Sequence, residues 1–137
     1  EEVNNLIPKS EIFVSVKDLK YMVRSGRIGK VAGYAINALN FKPVVSIDSE
    51  GKGSIIGKSF SVESNTNKIY SLVDEIQKNH KIERYAIVHA NALDRANSFK
   101  DHFVKTIGKE PEYIMEISSI VAMSAGLGTV AIALLRE

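Results

Sequence analysis

The hydrophobic positions of this chain change period several times, and each change marks an element. Ile12, Val14 and Val16 alternate with Phe13 and Ser15, which predicts a strand. Ser15 and Asp18 stand at a capping-box spacing ahead of a helix over Asp18–Arg24, which Gly26 closes. A second helix is expected over Lys30–Asn40. Pro43–Ile47 and Ser54–Phe60 read as a hairpin around Asp48-Ser49-Glu50-Gly51-Lys52. Ile69, Leu72, Val73 and Ile76 recur at helical spacing and predict an amphipathic helix over Asn67–Asn79. Tyr85–Val88 is the continuous apolar run of a central strand. Asn91 and Asp94 look like the cap of a helix that turns Ala92, Ala96, Phe99 and Phe103 inward and ends at Gly108. A strand over Glu112–Ile117, a short helix over Ser118–Ser124 and a last strand over Thr129–Leu135 complete the map. The order βααββαβαβαβ alternates helices with most strands and contains one hairpin, so an α/β fold with a mixed sheet is expected.

One helix stands apart. Gly29-Lys30-Val31-Ala32-Gly33-Tyr34-Ala35-Ile36-Asn37-Ala38 carries small or apolar residues around most of its circumference. Such a helix must be buried on several sides, and its small residues allow a close approach to the backbone. Ser25-Gly26-Arg27-Ile28 places an arginine at its mouth, a combination that suits an apolar ligand with an anionic head. The plainer alternative is core packing, with Arg27 in solvent.

Bulk properties narrow the classes. The chain has 137 residues, 45% of them hydrophobic and 25% charged, which is the size and make-up of one domain. A net charge of +2 without a Lys/Arg run leaves no phosphate-backbone footprint, so no nucleic-acid partner is expected. With no cysteine there is no disulfide or thiolate site, and a reducing, cytoplasmic setting is expected. His80, His89 and His102 lack the spacing that puts two metal ligands on one helix face, and His102 is expected on a solvent face. His89 ends a strand and reads as a structural histidine. Gly126-Leu127-Gly128 lacks the Lys-Ser/Thr of a phosphate loop, and no Gly-x-Ser-x-Gly elbow occurs. Neither metal, cofactor nor enzymatic activity is expected. Ile120 to Leu135 is the most apolar stretch, but it is shorter than the roughly 20 residues of a membrane span. Gly126 and Gly128 divide it into two core elements. Glu1-Glu2-Val3-Asn4-Asn5 is too acidic and polar for a signal peptide, and no methionine starts the chain. The expected organisation is a flexible tail or linker over residues 1–10 and a single lobe over 11–137, excised from a longer protein.

Four segments in order resemble the C-terminal lobe of the DegV family, fatty-acid-binding proteins that include the B subunits of bacterial fatty acid kinase. Leu19-Lys20-Tyr21-Met22-Val23-Arg24-Ser25-Gly26-Arg27-Ile28 is similar to that family's Leu-x-x-Leu-x-x-Gly-Gly-Arg-Ile, and Leu39-Asn40-Phe41-Lys42-Pro43 to its Leu-Asn-Ile-Lys-Pro. Val88-His89-Ala90-Asn91-Ala92 resembles its His-Ala-Asp-Ala segment. Met123-Ser124-Ala125-Gly126-Leu127-Gly128 resembles its Thr-His-Thr-Gly-Pro-Gly. The resemblance implies the EDD fold and, for this lobe, a mixed, largely antiparallel sheet with packed helices. It also implies a long-chain fatty acid held between two lobes, the other lobe supplying a serine/threonine loop for the carboxylate.

By the same resemblance, Arg27 is a head-group cation. A second family arginine falls on Phe60, the family histidine on Ser124, and Leu127 stands where proline is usual. Ile28, Ala32, Ala35, Ile36 and Leu39 would line the tail, and Ser124, Gly126 and Gly128 the turn beside the head. The lobe would carry lipid without catalysing, a partner kinase subunit doing the phosphorylation. The rival is a structural or protein-interaction domain, fused to a kinase-type module, that has lost its lipid. A tail of ~14 methylenes at ~0.8 kcal/mol each gains on the order of 11 kcal/mol before entropic costs. A charged head contact adds only about 1.5–3 kcal/mol, so the tail decides binding. With the other lobe absent, an apolar patch beside the Lys30–Asn40 helix and self-association are expected.

Overall fold

Val130, Ile132 and Leu134 are buried on one side of a strand whose alternate residues are Ala131 and Ala133, and the sheet is built outward from that strand. The computed structural model of the chain describes residues 2–27 and 40–137. The helix expected over Lys30–Asn40 therefore lies outside the described residues, except for Asn40. The strands are β1 (Ser10–Ser15), β2 (Val44–Ile47), β3 (Gly53–Gly57), β4 (Ile82–His89), β5 (Ile114–Glu116) and β6 (Val130–Arg136). They form one six-stranded sheet in the order β3-β2-β1-β6-β4-β5. The β1–β2, β1–β6, β2–β3 and β4–β6 pairs are antiparallel, and β4–β5 is parallel. The sheet is mixed and largely antiparallel.

Helices α1 (Glu2–Leu6), α2 (Lys20–Arg24), α3 (Val62–Asn79), α4 (Leu93–Ile107) and α5 (Ser119–Ala125) complete the described chain. Residues 2–9 form α1 and a 3-10 turn over Ile7–Lys9, all exposed. The long helices α3 and α4 cover one face of the sheet. There Ile69, Val73, Phe99 and Phe103 pack on Phe13, Ile87, Val130 and Ile132 in the main core. A smaller cluster of Val16, Leu19, Met22, Val45 and Ala125 lies on the other face, under α2 and α5.

The differences from expectation are local and have causes. α3 starts at Val62 and not at Asn67, because Ser61 and Ser64 form a reciprocal capping box five residues earlier in the chain. The Ser15/Asp18 box does not form: α2 starts at Lys20, and Asp18 Oδ1 accepts from the Lys20 N–H at 3.0 Å. Asn91 and Asp94 do not cap α4, whose cap position is Ala92, with no side-chain bond; Asn91 instead adopts a φ of 47° in the turn before it. β3 ends at Gly57, so Phe60 is not in a strand. His102 is half-buried and not on a solvent face. Its ring stacks on Tyr70 with centroids 3.8 Å apart, and its Nε2 meets Asp74 Oδ1 at 3.0 Å, joining α4 to α3.

Candidate functional site

On the face of the sheet opposite α3 and α4 lies a cavity of about 630 Å³. Its floor is Ile12 and Val14 of β1, Val45 of β2, Val88 of β4 and Ala131 of β6. Met22 of α2 and Val121, Ser124 and Ala125 of α5 form a wall, and Arg27 stands at the rim. The volume falls in the range of small-molecule sites, and the lining is mostly apolar with a few polar groups.

Local sequence puts Arg27 there. Gly26 takes the left-handed φ of 70° after the last turn of α2. The Gly26 N–H then donates to the Val23 carbonyl at 3.1 Å, and the Arg27 N–H to the Met22 carbonyl at 3.0 Å. This is the Schellman closure of a helix, and it leaves the residue after the glycine pointing the chain away from α2. Arg27 is exposed and borders the cavity.

The opposite wall is equally determined. Ser118 caps α5 by accepting from the Val121 N–H, and Gly126 ends the helix at a φ of 86°. A Cβ on Gly126 would stand 2.7 Å from Cδ2 of Tyr21, so the glycine lets α2 and α5 close on each other. Thr129 Oγ1 donates to the Ala125 carbonyl at 2.8 Å, and Gly128 N–H donates to the Ala90 carbonyl at 2.7 Å. The turn is thereby fastened to the end of β4.

Of the residues expected at a site, Arg27 and Ser124 are brought to one cavity. Gly126 is buried against Tyr21, and Gly128 borders a separate hollow with Lys17, Asp94 and Arg95. Phe60 is elsewhere: 59% exposed, it packs on Phe41 with centroids 5.8 Å apart, beside Ser61 and Ser64 at the start of α3. Ile28, Ala32, Ala35, Ile36 and Leu39 lie outside the described residues. His89 is buried, and its Nδ1 accepts from the Ala92 N–H at 3.3 Å, which orders the turn into α4.

Two positioning residues escaped sequence reasoning. Arg95 donates to the Gly128 carbonyl, to Ser15 Oγ at 2.7 Å and to Thr66 Oγ1 at 3.3 Å. Burial lowers the pKa of its guanidinium from the usual value. An arginine between Ala92 and Phe99, on the inner stripe of an amphipathic helix, is the signal that could have found it. Asn65 is fully buried and donates to the carbonyls of Lys42 at 2.7 Å and Pro43 at 2.8 Å, holding the chain where it enters β2. Among the described residues no group of three or more acidic or histidine side chains could hold a metal ion. No helix among them is long and apolar enough to cross a membrane.

The family model for uncharacterised proteins of the DegV family matches residues 1–137. A DegV domain-containing protein of Clostridium acetobutylicum is 30% identical over 146 residues, covering 100% of this chain and 50% of the relative. The chain thus spans about half the length of the curated relatives it matches. Among solved structures, a fatty acid binding DegV family protein from Streptococcus agalactiae superposes with a TM-score of 0.85 at 25% identity, over 99% of this chain and 48% of that one. The Fatty Acid Kinase B3 protein of Streptococcus pneumoniae, loaded with linoleic acid, shares the fold with a TM-score of 0.82 at 16% identity, over 99% of this chain and 48% of that one.

Proposed function

The chain belongs to the DegV family, and on that premise we propose that it holds the tail of a long-chain fatty acid in the cavity under α2 and α5. The observation that carries this reading is a cavity of about 630 Å³ with an apolar floor and, among its described lining residues, the cations Arg27 and Lys52. Apolar burial supplies most of the affinity, roughly 0.8 kcal/mol per methylene. Arg27 and the Ser124 hydroxyl face the carboxylate. The lobe presents the acid and performs no chemistry; a second lobe completes the head-group site and a separate kinase subunit acts on the presented carboxylate. Where the segment resemblance implies a histidine this chain has Ser124, a neutral hydroxyl in place of a titratable ring, which weakens presentation.

Native mass spectrometry of the purified chain with hexadecanoic acid tests the proposal. A one-to-one adduct is expected, and Arg27→Ala should weaken it by about 1–3 kcal/mol while leaving the unfolding midpoint unchanged. No adduct at saturating acid would end this reading.

A second reading, a protein-interaction role, draws on α5. Ile120 is 75% exposed, Met123 78% and Leu127 64%, an apolar row on the outside of the wall that carries Ser124. Rows of this kind on soluble domains mark contact surfaces. Analytical ultracentrifugation should show association that Met123→Glu with Ile120→Glu removes.

A further inference from the structure

The hollow beside Arg27 does not end at Ala131. It shares Ile12, Ser46, Ile47 and Gly51 with a second, larger hollow of about 1170 Å³, which runs on to Val3, Leu6 and Ile7 at the N-terminal end of the described chain. Strand register gives the floor of this joint trough row by row. Val14, Ala131 and Val88 lie abreast at the Ser124 end. Ile12, Ala133 and Ala86 form the next row, and Ser10, Leu135 and Arg84 the last. All share one face because alternate residues of a strand point the same way. The middle row is the roomiest, with two methyl side chains side by side. Although β6 lies inside the sheet, Ala133 is exposed. The far row ends the open floor with the larger Leu135 and Arg84, and Leu6 and Ile7 border it.

Resting on the fatty-acid reading above, we infer that this trough measures acyl-chain length, with Ala86 and Ala133 as the residues that admit the distal carbons. From Thr129 to Leu135 the strand advances about 20 Å, at about 3.3 Å per residue. An extended alkyl chain advances about 1.25 Å per carbon, from a C–C bond of about 1.5 Å near the tetrahedral angle. A saturated chain of about 16 carbons therefore fills the trough from the Ser124 end to Leu135. Decanoic acid, at about 12 Å, stops short of Ala133, which lies about 13 Å along.

Titration calorimetry of the chain with decanoic and hexadecanoic acids separates the possibilities. Ala133→Phe should raise the Kd for hexadecanoic acid more than tenfold, since each methylene left in water costs about fourfold. The Kd for decanoic acid should stay within about twofold. Ala131→Phe, one row nearer the head, should weaken both acids. Should Ala133→Phe fail a urea-unfolding control, Ala86→Leu on the neighbouring strand makes the same prediction. Equal loss for both acids, or no loss for either, in the Ala133 or Ala86 variant overturns the length assignment while leaving fatty-acid binding intact. Binding of neither acid by the unmodified chain overturns both.

Discussion

The guanidinium of Arg95 donates to the backbone carbonyl of Gly128, fixing the turn between α5 and β6 from a helix on the opposite side of the sheet. The same group reaches Ser15 at the end of β1 and Thr66 in α3. One side chain therefore joins four elements at the end of the sheet where the cavity wall begins. Arg95→Ala should lower the unfolding free energy by about 2–3 kcal/mol, because charged hydrogen bonds are lost and their acceptors left buried. Arg95→Lys should recover little, since an ammonium cannot span acceptors arranged for a planar fork. Urea denaturation of the three proteins checks both statements.

Gly126 offers a test of the opposite wall. Alanine there would have to hold a φ near 86° and displace the Tyr21 ring at 2.7 Å. Gly126→Ala should cost about 2–4 kcal/mol, more than the roughly 1 kcal/mol of backbone strain alone. Gly26→Ala, with a φ of 70° but nothing within 4 Å of the added carbon, should show only the strain. The difference between the two midpoint shifts measures how closely α2 and α5 are pressed together.

The placement of Phe60 and Ser124 separates two substitutions that the sequence couples. Ser124→His puts a titratable donor into the cavity that Arg27 borders, so it should tighten binding of a fatty acid by about 1–3 kcal/mol below pH 6 relative to the matching alcohol. Phe60→Arg adds a charge in a different hollow and should favour neither ligand. Paired titrations of acid and alcohol at one ionic strength give the comparison.

Alkaline stability depends on Tyr85. Burial, with Glu110 adding to it, raises its pKa to about 12, and its hydroxyl donates to the Lys109 carbonyl at 2.7 Å. A tyrosine raised above its unfolded pKa near 10 contributes stability fully below pH 10, and loses it as pH climbs toward 12. Burial raises Tyr70 as well, so two groups act in the same direction. Tyr85→Phe should cost about 1 kcal/mol at neutral pH and make the decline between pH 10 and 12 shallower without removing it. Unfolding midpoints across that range provide the measurement.

The sequence was legible wherever a pattern is periodic and local. The face of α4 that carries Ala96, Phe99 and Phe103, the Gly26 closure of α2 and the strand after Gly128 all follow from spacing alone. The start of α3 was hidden because a serine, Ser64, takes the part that glutamate or glutamine usually plays opposite Ser61. Arg95, Asn65 and the Tyr70–His102 stack were hidden for another reason: each depends on partners more than 20 residues distant, and no local rule encodes which face such a residue will meet. Arg27 is marked by its place at the mouth of a small-residue helix and Ser124 by segment resemblance, and that they border one cavity emerges only from the packing of α2 against α5. The end of the hairpin was also hidden: β3 stops at Gly57, three residues before Phe60.

The alternation in β6 makes one strand answer to two neighbourhoods. Val130, Ile132 and Leu134 supply bulk to the helices, while Ala131 and Ala133 withhold it from the other side. Sliding the strand by one residue would exchange the two sets, choking the trough with isoleucine and hollowing the main core at once. The protein cannot adjust the space on one side by shifting register, because the other side would collapse. Capacity there changes only by replacing single residues, one methyl group at a time.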